Sequence, residues 1–411
     1  MKKPTLVLYF PYHTVGGVSV LFLRIAKLFS ESHRIILMDY ADGYMAKNIP
    51  KGVEFMEYQR KAEIPKDSII VFQGVYPYRI KNFKDFPKTC KVLFWHLHPD
   101  NYFPYIKYKY FRHKFKKYIT FICSYLKIQT GRELIKTLLK NNSLVFMDKT
   151  NFDSTKNYFF QNQKMENPKY LKIFTDDIQG DYRISNKKDE ILSFGWLGRL
   201  EDFKTSILLH TLKRLQSLNF YNFKFMIIGK GKDSVIFKDF QENCSEYDIS
   251  IIDEINSEEI SSYINNFDLL FAMGTSALEG AKLGIPTILL DYSYTDINGL
   301  YKYEFIFEKE GYSLAEQITN QNLEDKCSLP RIISMIKDDK YCISMNCIDY
   351  WKENFSPIVF KSDFIEFISK SKLKISDLLS GNFHKPDIFT KLLFFVFRYN
   401  KTSNKNTAWQ F

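Results

Sequence analysis

Between residues 5 and 292 the chain alternates short apolar runs with amphipathic stretches, and it does so twice. TLVLYF (5–10), HRIILMDY (33–40), SIIVFQG (68–74), KVLFWHLHP (91–99) and NSLVFMD (142–148) form the first series. ILSFGWLGRL (191–200), FKFMIIGKGK (223–232), ISIID (249–253), FDLLFAMG (267–274) and PTILLDY (286–292) form the second. Runs apolar on both faces belong to parallel sheets covered by helices on either side. Helical spacing over 19–31, 204–218 and 257–266 supplies such covers. The expected class is therefore α/β: two Rossmann-like parallel-sheet domains facing across a cleft. The polar stretch from Asn151 to Lys188 places the link near its end. Expected domains are 1–180 and 186–365, followed by a helical, basic-aromatic tail over 366–411.

A length of 411 residues suits two cores better than one. The six cysteines, Cys90, Cys123, Cys244, Cys327, Cys342 and Cys347, form no C-x-x-C pair, so neither a zinc site nor a disulfide framework is indicated. The start, MKKPTLVLYFPYH, reads as a first strand rather than a signal peptide. No run approaches the ~18 apolar residues of a membrane span. The net charge of +11 calls for an anionic partner.

In doubly wound sheets ligands bind at the carboxyl ends of the strands. The residues there are consistent with one another: Gly16-Gly17 after the first strand; Gly198-Arg199, then Lys204; Gly229-Lys230-Gly231-Lys232; and Gly274-Thr275-Ser276, then Glu279. Glycines let backbone amides approach an anion, and arginine and lysine supply matching charge. Neither a dinucleotide fingerprint nor a P-loop is present. Ser276-x-x-Glu279 also spells a capping box, so Glu279 reads as a helix cap, a ligand for a sugar hydroxyl, or both.

GWLGRLEDFK (195–204), FMIIGKGK (225–232), FDLLFAMGTSALEGAKLGIPTILLD (267–291) and, in a general way, FPYHTVGGVSVLFLRIAKLF (10–29) together resemble the retaining glycosyltransferases of family 4, which have the two-domain GT-B fold. The resemblance runs from about residue 5 to about residue 300. It implies that Arg199 and Lys204 hold the diphosphate of a nucleotide-sugar and stabilise charge on it as the glycosidic bond breaks. Gly198, Gly229 and Gly231 belong to the same donor site, with Gly274, Thr275 and Ser276 placing amides near phosphate or sugar. Glu279 would bind ribose, and Gly16 and Gly17 would admit the diphosphate from the opposite domain. His98, in WHLHPDN, matches a family histidine near donor sugar and acceptor better than His96 does, and His13 is a lesser candidate. The family often carries a second glutamate eight residues before the first, but here that position is Phe271. No Asp-x-Asp motif lies at a strand end, so neither metal nor cofactor is expected beyond the donor itself, UDP- or GDP-linked.

The expected function is transfer of a sugar to a hydroxyl of a glycan, lipid-linked, in surface polysaccharide synthesis. The enzyme would be cytoplasmic and held peripherally at the inner face of the cell membrane. Two basic-aromatic segments, 105–127 and 385–405, are candidates for contact with anionic lipid. A non-catalytic or nucleic-acid-binding protein and a sugar-nucleotide epimerase are the rivals. No nucleic-acid module is recognisable, nor is a pair of acid/base carboxylates, so no nucleic-acid partner is expected.

Overall fold

The computed structural model describes residues 4–99, 101–102, 128–161, 165, 168–177, 191–218, 223–244, 247–253, 255, 259–319 and 329–391. The segment 105–127 lies outside these residues, as does the tail beyond Lys391. The chain divides into two compact units, one of residues 1–174 with 360–411, the other Thr175–Val359.

In the first unit β1 (Leu6–Tyr9) leads to α1 (Gly17–Phe29), β2 (Ile35–Asp39), a short α2 (Tyr44–Lys47), β3 (Glu54–Glu57), β4 (Ile69–Gln73) and β5 (Lys91–His96). Residues 128–140 form α3, then come β6 (Leu144–Phe146) and α4 (Lys149–Thr155). The six strands are parallel in the order β3-β2-β1-β4-β5-β6, with Leu6 opposite both Ile35 and Ile69. This is doubly wound order, whose topological switch falls between β1 and β4.

The polar stretch from Asn151 is not a plain linker. It opens inside α4, continues through a π turn (Lys156–Phe160), and buries Phe152, Phe159 and Phe160. Tyr170 then pairs in parallel with Phe146, and the Trp95 indole donates to the Leu171 carbonyl at 3.0 Å. The sheet edge thus claims the chain as far as Phe174.

Asp39, at the end of β2, fixes the loop that precedes Gly16. Fully buried, its carboxylate accepts from the amides of Tyr12 (2.7 Å), Tyr40 (2.7 Å), Met45 (2.9 Å) and Ala46 (3.4 Å). Burial raises its pKa, and the four amides oppose that rise. A Cβ on Gly43 would lie 2.2 Å from the same carboxylate, so glycine is required there. Asp39→Ala strands these amides, with an expected cost of about 3 kcal/mol. Urea denaturation measures this, and a loss below about 1 kcal/mol would show the amides re-satisfied by water.

In the second unit β7 (Leu192–Leu197) is followed by α5 (Asp202–Ser217), β8 (Phe223–Ile228), α6 (Ser234–Asn243), β9 (Asp248–Ile252), α7 (Ile260–Ile264), β10 (Leu269–Ala272), α8 (Thr275–Lys282), β11 (Thr287–Leu289) and the long α9 (Leu329–Phe355). The five strands run parallel in the order β11-β10-β7-β8-β9. The chain winds outward from β7 to β9, then crosses back to β10, so this switch falls between β7 and β10.

α10 (Pro357–Lys370) and α11 (Ile375–Ser380) follow. The stretch expected to form a separate tail from residue 366 instead packs, as far as Leu378, into the first unit. Phe360, Phe364, Ile368, Leu373, Ile375 and Leu378 join its core, and Val92 donates its amide to Leu373 O at 2.9 Å. Among the described residues no helix is long and apolar enough to cross a membrane.

Candidate functional site

The second unit's switch point carries most of the candidate donor residues. Leu197 pairs with Ala272 at the ends of β7 and β10, so Gly198-Arg199 and Met273-Gly274 leave the sheet side by side. The loop after β8 is stitched to the loop after β7: Gly198 N–H donates to Ile228 O at 3.0 Å and Leu200 N–H to Lys230 O at 3.2 Å. A Cβ on Gly229 would come within 1.9 Å of Gly198 O, and one on Gly231 within 1.9 Å of Leu200 O. Both glycines are thus demanded by the crossing of two loops, a reason not visible in the motif. Thr205 Oγ1 donates to Asp233 Oδ2 at 2.7 Å, tying α5 to the same loop.

Arg199 is exposed, its guanidinium 3.3 Å from Glu201. Lys204 stands in the first turn of α5. Its ammonium is half-buried, lies 5.9 Å from the Phe203 ring centre, and makes no hydrogen bond or ion pair among the described residues. Burial pushes its pKa down to about 8, and the Arg199 charge adds to the effect. The positive end of a helix dipole repels a cation as well. Three unfavourable influences therefore converge on one ammonium, and an anion between Lys204 and Arg199 would relieve them all.

Beside it, Gly274 begins α8 with φ +65° and ψ −142°, a conformation strained for any other residue, and the space over its Cα is open. The first amides of α8, from Thr275 and Ser276, lack intrahelical partners and are oriented for an anion. The expected capping box does not form. α8 starts at Thr275, so Ser276 lies within the helix, and Glu279 pairs with Lys282 at 2.5 Å instead. Phe271 is a core residue of β10, packed on Phe194, Phe225 and Tyr303. Only Met273 and Gly274 separate β10 from α8. The position eight residues before Glu279 thus lies inside a buried strand, where Phe271 serves the core.

What surrounds this patch comes from residues far along the chain that no local pattern marks. Ser293 donates its amide to Phe203 O at 3.0 Å, and Tyr292 meets the Phe203 ring edge-on at 5.6 Å. Behind them Asp291 is buried, held by Lys309 at 3.3 Å, by Tyr301 and by the Glu316 amide at 2.8 Å. Gly274 in turn donates to Leu314 O at 2.7 Å. The segment after β11 thereby braces the ends of both β10 and β11.

In the first unit Gly16 precedes α1 at the end of β1. Its amide donates to Ser19 Oγ at 3.0 Å, and that hydroxyl donates back to Gly16 O at 2.9 Å. A Cβ on Gly17 would meet open space. His13 lies 3.0 Å from Asp42 and stacks on Tyr40. His96 is fully buried at the end of β5, 3.0 Å from Thr155 Oγ1, its pKa pushed by burial down to about 3, so it is neutral at physiological pH. His98 is exposed, and its amide donates to Asn101 Oδ1 at 3.0 Å. Asp176 and Asp177 are exposed.

Two doubly wound parallel sheets in one chain are the GT-B architecture, and solved structures share it. A glycosyltransferase from Rickettsia africae is 14% identical, with 90% of this chain and 99% of that one covered at a TM-score of 0.59. HepE from Anabaena, solved with UDP and glucose, is 12% identical, with 89% and 100% covered at 0.53. The lipopolysaccharide outer core galactosyltransferase WaaB, in its apo form, is 10% identical, with 90% and 100% covered at 0.53. At these identities the likeness is one of fold. The sequence matches no protein-family model and no curated protein.

Proposed function

We propose that the chain is a retaining glycosyltransferase that moves a sugar from a nucleoside-diphosphate donor to a hydroxyl of a glycan. The observation that carries this reading is Lys204, a half-buried ammonium at a helix N-terminus that forms no ion pair among the described residues, next to Arg199 and with only Glu201 acting on it favourably from a distance. The open Gly274 turn on the adjoining strand offers amides to the same anion. HepE, of the same fold, was solved with UDP and glucose, which supports the choice of a diphosphate-linked sugar.

In this reading Arg199 and Lys204 grip the diphosphate, and Glu279 accepts hydrogen bonds from the ribose hydroxyls. The bond between the anomeric carbon and the diphosphate oxygen breaks, and its electron pair stays on the diphosphate, where the two cations stabilise it. The acceptor hydroxyl adds to the same face of the sugar and loses its proton to the departing diphosphate oxygen. Two protein cations at the leaving group remove the need for a divalent metal. His98 is the proposed contact for donor sugar and acceptor. Surface polysaccharide is the proposed setting, with a lipid-linked acceptor and peripheral attachment to anionic membrane; WaaB, of the same fold, acts on lipopolysaccharide outer core.

The test is calorimetric titration with UDP, GDP and ADP, with and without Mg²⁺. One nucleotide should bind saturably without metal, and both Arg199→Ala and Glu279→Ala should weaken it by about tenfold or more. Parent-like affinity in both variants would place the nucleotide elsewhere.

A further inference from the structure

Glu279 is tied to a neighbouring segment of its unit through the side chain of Lys282. Lys282, three residues along α8, brings its ammonium within 2.5 Å of Glu279 Oε2, and both side chains are largely buried, at 12% and 18% exposure. The same ammonium donates to the backbone carbonyl of Asp176 at 3.2 Å. That carbonyl belongs to a fixed piece of chain: the preceding residue, Thr175, donates its amide to Phe355 O at 3.3 Å and accepts the Trp351 indole on its hydroxyl at 2.8 Å. A continuous relay therefore runs from the end of α9, through Thr175-Asp176 and Lys282, to the carboxylate of Glu279.

We propose that Lys282 is a positioning residue that holds Glu279 in its sugar-binding rotamer and so gives the site its preference for ribose over 2′-deoxyribose. The inference rests on the reading of Glu279 as the ribose ligand. Two physical effects support it. A glutamate on a helix surface has three side-chain torsions to immobilise, and an ammonium anchored to a backbone carbonyl removes most of that freedom. A carboxylate close to a bound diphosphate would also repel it, and a partly desolvated ammonium at 2.5 Å offsets that charge far better than solvent does. Lys282 lies in the last turn of α8, where the helix dipole favours a cation, so the ammonium is stable there before any ligand arrives. It is thus a preformed support rather than a group recruited by the substrate.

The experiment titrates parent, Lys282→Met, Lys282→Gln, Lys282→Arg and Glu279→Ala with UDP, GDP and ADP and with their 2′-deoxy counterparts, and follows the thermal unfolding of each protein. The parent should prefer the ribonucleotide by about tenfold or more. Lys282→Met should weaken the ribonucleotide about tenfold and bring the ribo-to-deoxy ratio close to one. Lys282→Arg, long enough to span both partners, should restore the ratio. Lys282→Gln retains a donor for the Asp176 carbonyl without the charge; it should fold like the parent and still lose the ratio. A ratio unchanged in Lys282→Gln and Lys282→Met would overturn the proposal, because a structural strut alone would alter melting and leave sugar selectivity intact. A ratio unchanged in Glu279→Ala would instead overturn the assignment of Glu279, and the two failures are separate.

Discussion

Lys204→Ala is expected to lower turnover by about 10²–10³-fold, the loss typical when a group that stabilises developing transition-state charge is removed. The effect is large because the cost of holding that charge has been met in folding. Lys204 is half-buried at a helix N-terminus, and repulsion from Arg199 further disfavours its proton. Lys204→Arg should recover only part of the rate, since a planar fork does not fit the space of a compact ammonium. The pH profile follows from the depressed pKa. In the unliganded protein Lys204 loses its proton as pH rises through about 8, so kcat/KM, which reports the free enzyme, should fall above that point. Bound diphosphate raises the same pKa, so kcat should fall only at higher pH. A kcat/KM flat across about pH 7 to 9 would contradict the assignment. Stability moves the other way. Between about 8 and the ordinary lysine value the unfolded chain holds more protons than the folded one, so folding becomes more favourable as pH rises through that window.

Why some of this was legible and some not can be traced to particular residues. Strands such as Leu6–Tyr9 and Leu269–Ala272 are buried on both faces and announce themselves as unbroken apolar runs. β3 leaves no such mark because it is an edge strand, Glu54-Phe55-Met56-Glu57, exposed or half-exposed throughout. α6 is hard to read for a related reason: of its ten residues only Phe237 is buried, so no buried stripe marks it. The return of α10 and α11 to the first unit is a long-range fact. Phe360 stacks on Trp95 and on Phe174, and nothing local to residue 360 says so. At the site, glycine positions could be read but their reasons could not. Ser276-x-x-Glu279 spells a cap, yet the positive φ of Gly274 starts the helix earlier and leaves Glu279 to Lys282. Likewise Phe271 reads in sequence as a replaced ligand, whereas its place is a fully buried strand position packed on Phe194, Phe225 and Tyr303.

Two glycines separate these reasons by experiment. Gly229→Ala places a Cβ 1.9 Å from the Gly198 carbonyl oxygen and 2.8 Å from its carbon, both main-chain atoms that cannot swing aside. Relief requires opening the bond from Gly198 N–H to Ile228 O or that from Gly229 N–H to Ile252 O, at 3.0 and 2.9 Å. The second unit should lose about 3 kcal/mol of stability. Because Arg199 follows Gly198 directly, nucleotide affinity should fall by about tenfold or more in the protein that remains folded. Gly17→Ala is the counter-case. Its Cβ enters open space at the start of α1, so stability should stay within about 0.5 kcal/mol of the parent. Denaturation midpoints and nucleotide titrations on the same two variants test both claims. Parent-like stability for Gly229→Ala would show that the two loops part easily, and the preformed cradle for Arg199 would then have no structural basis.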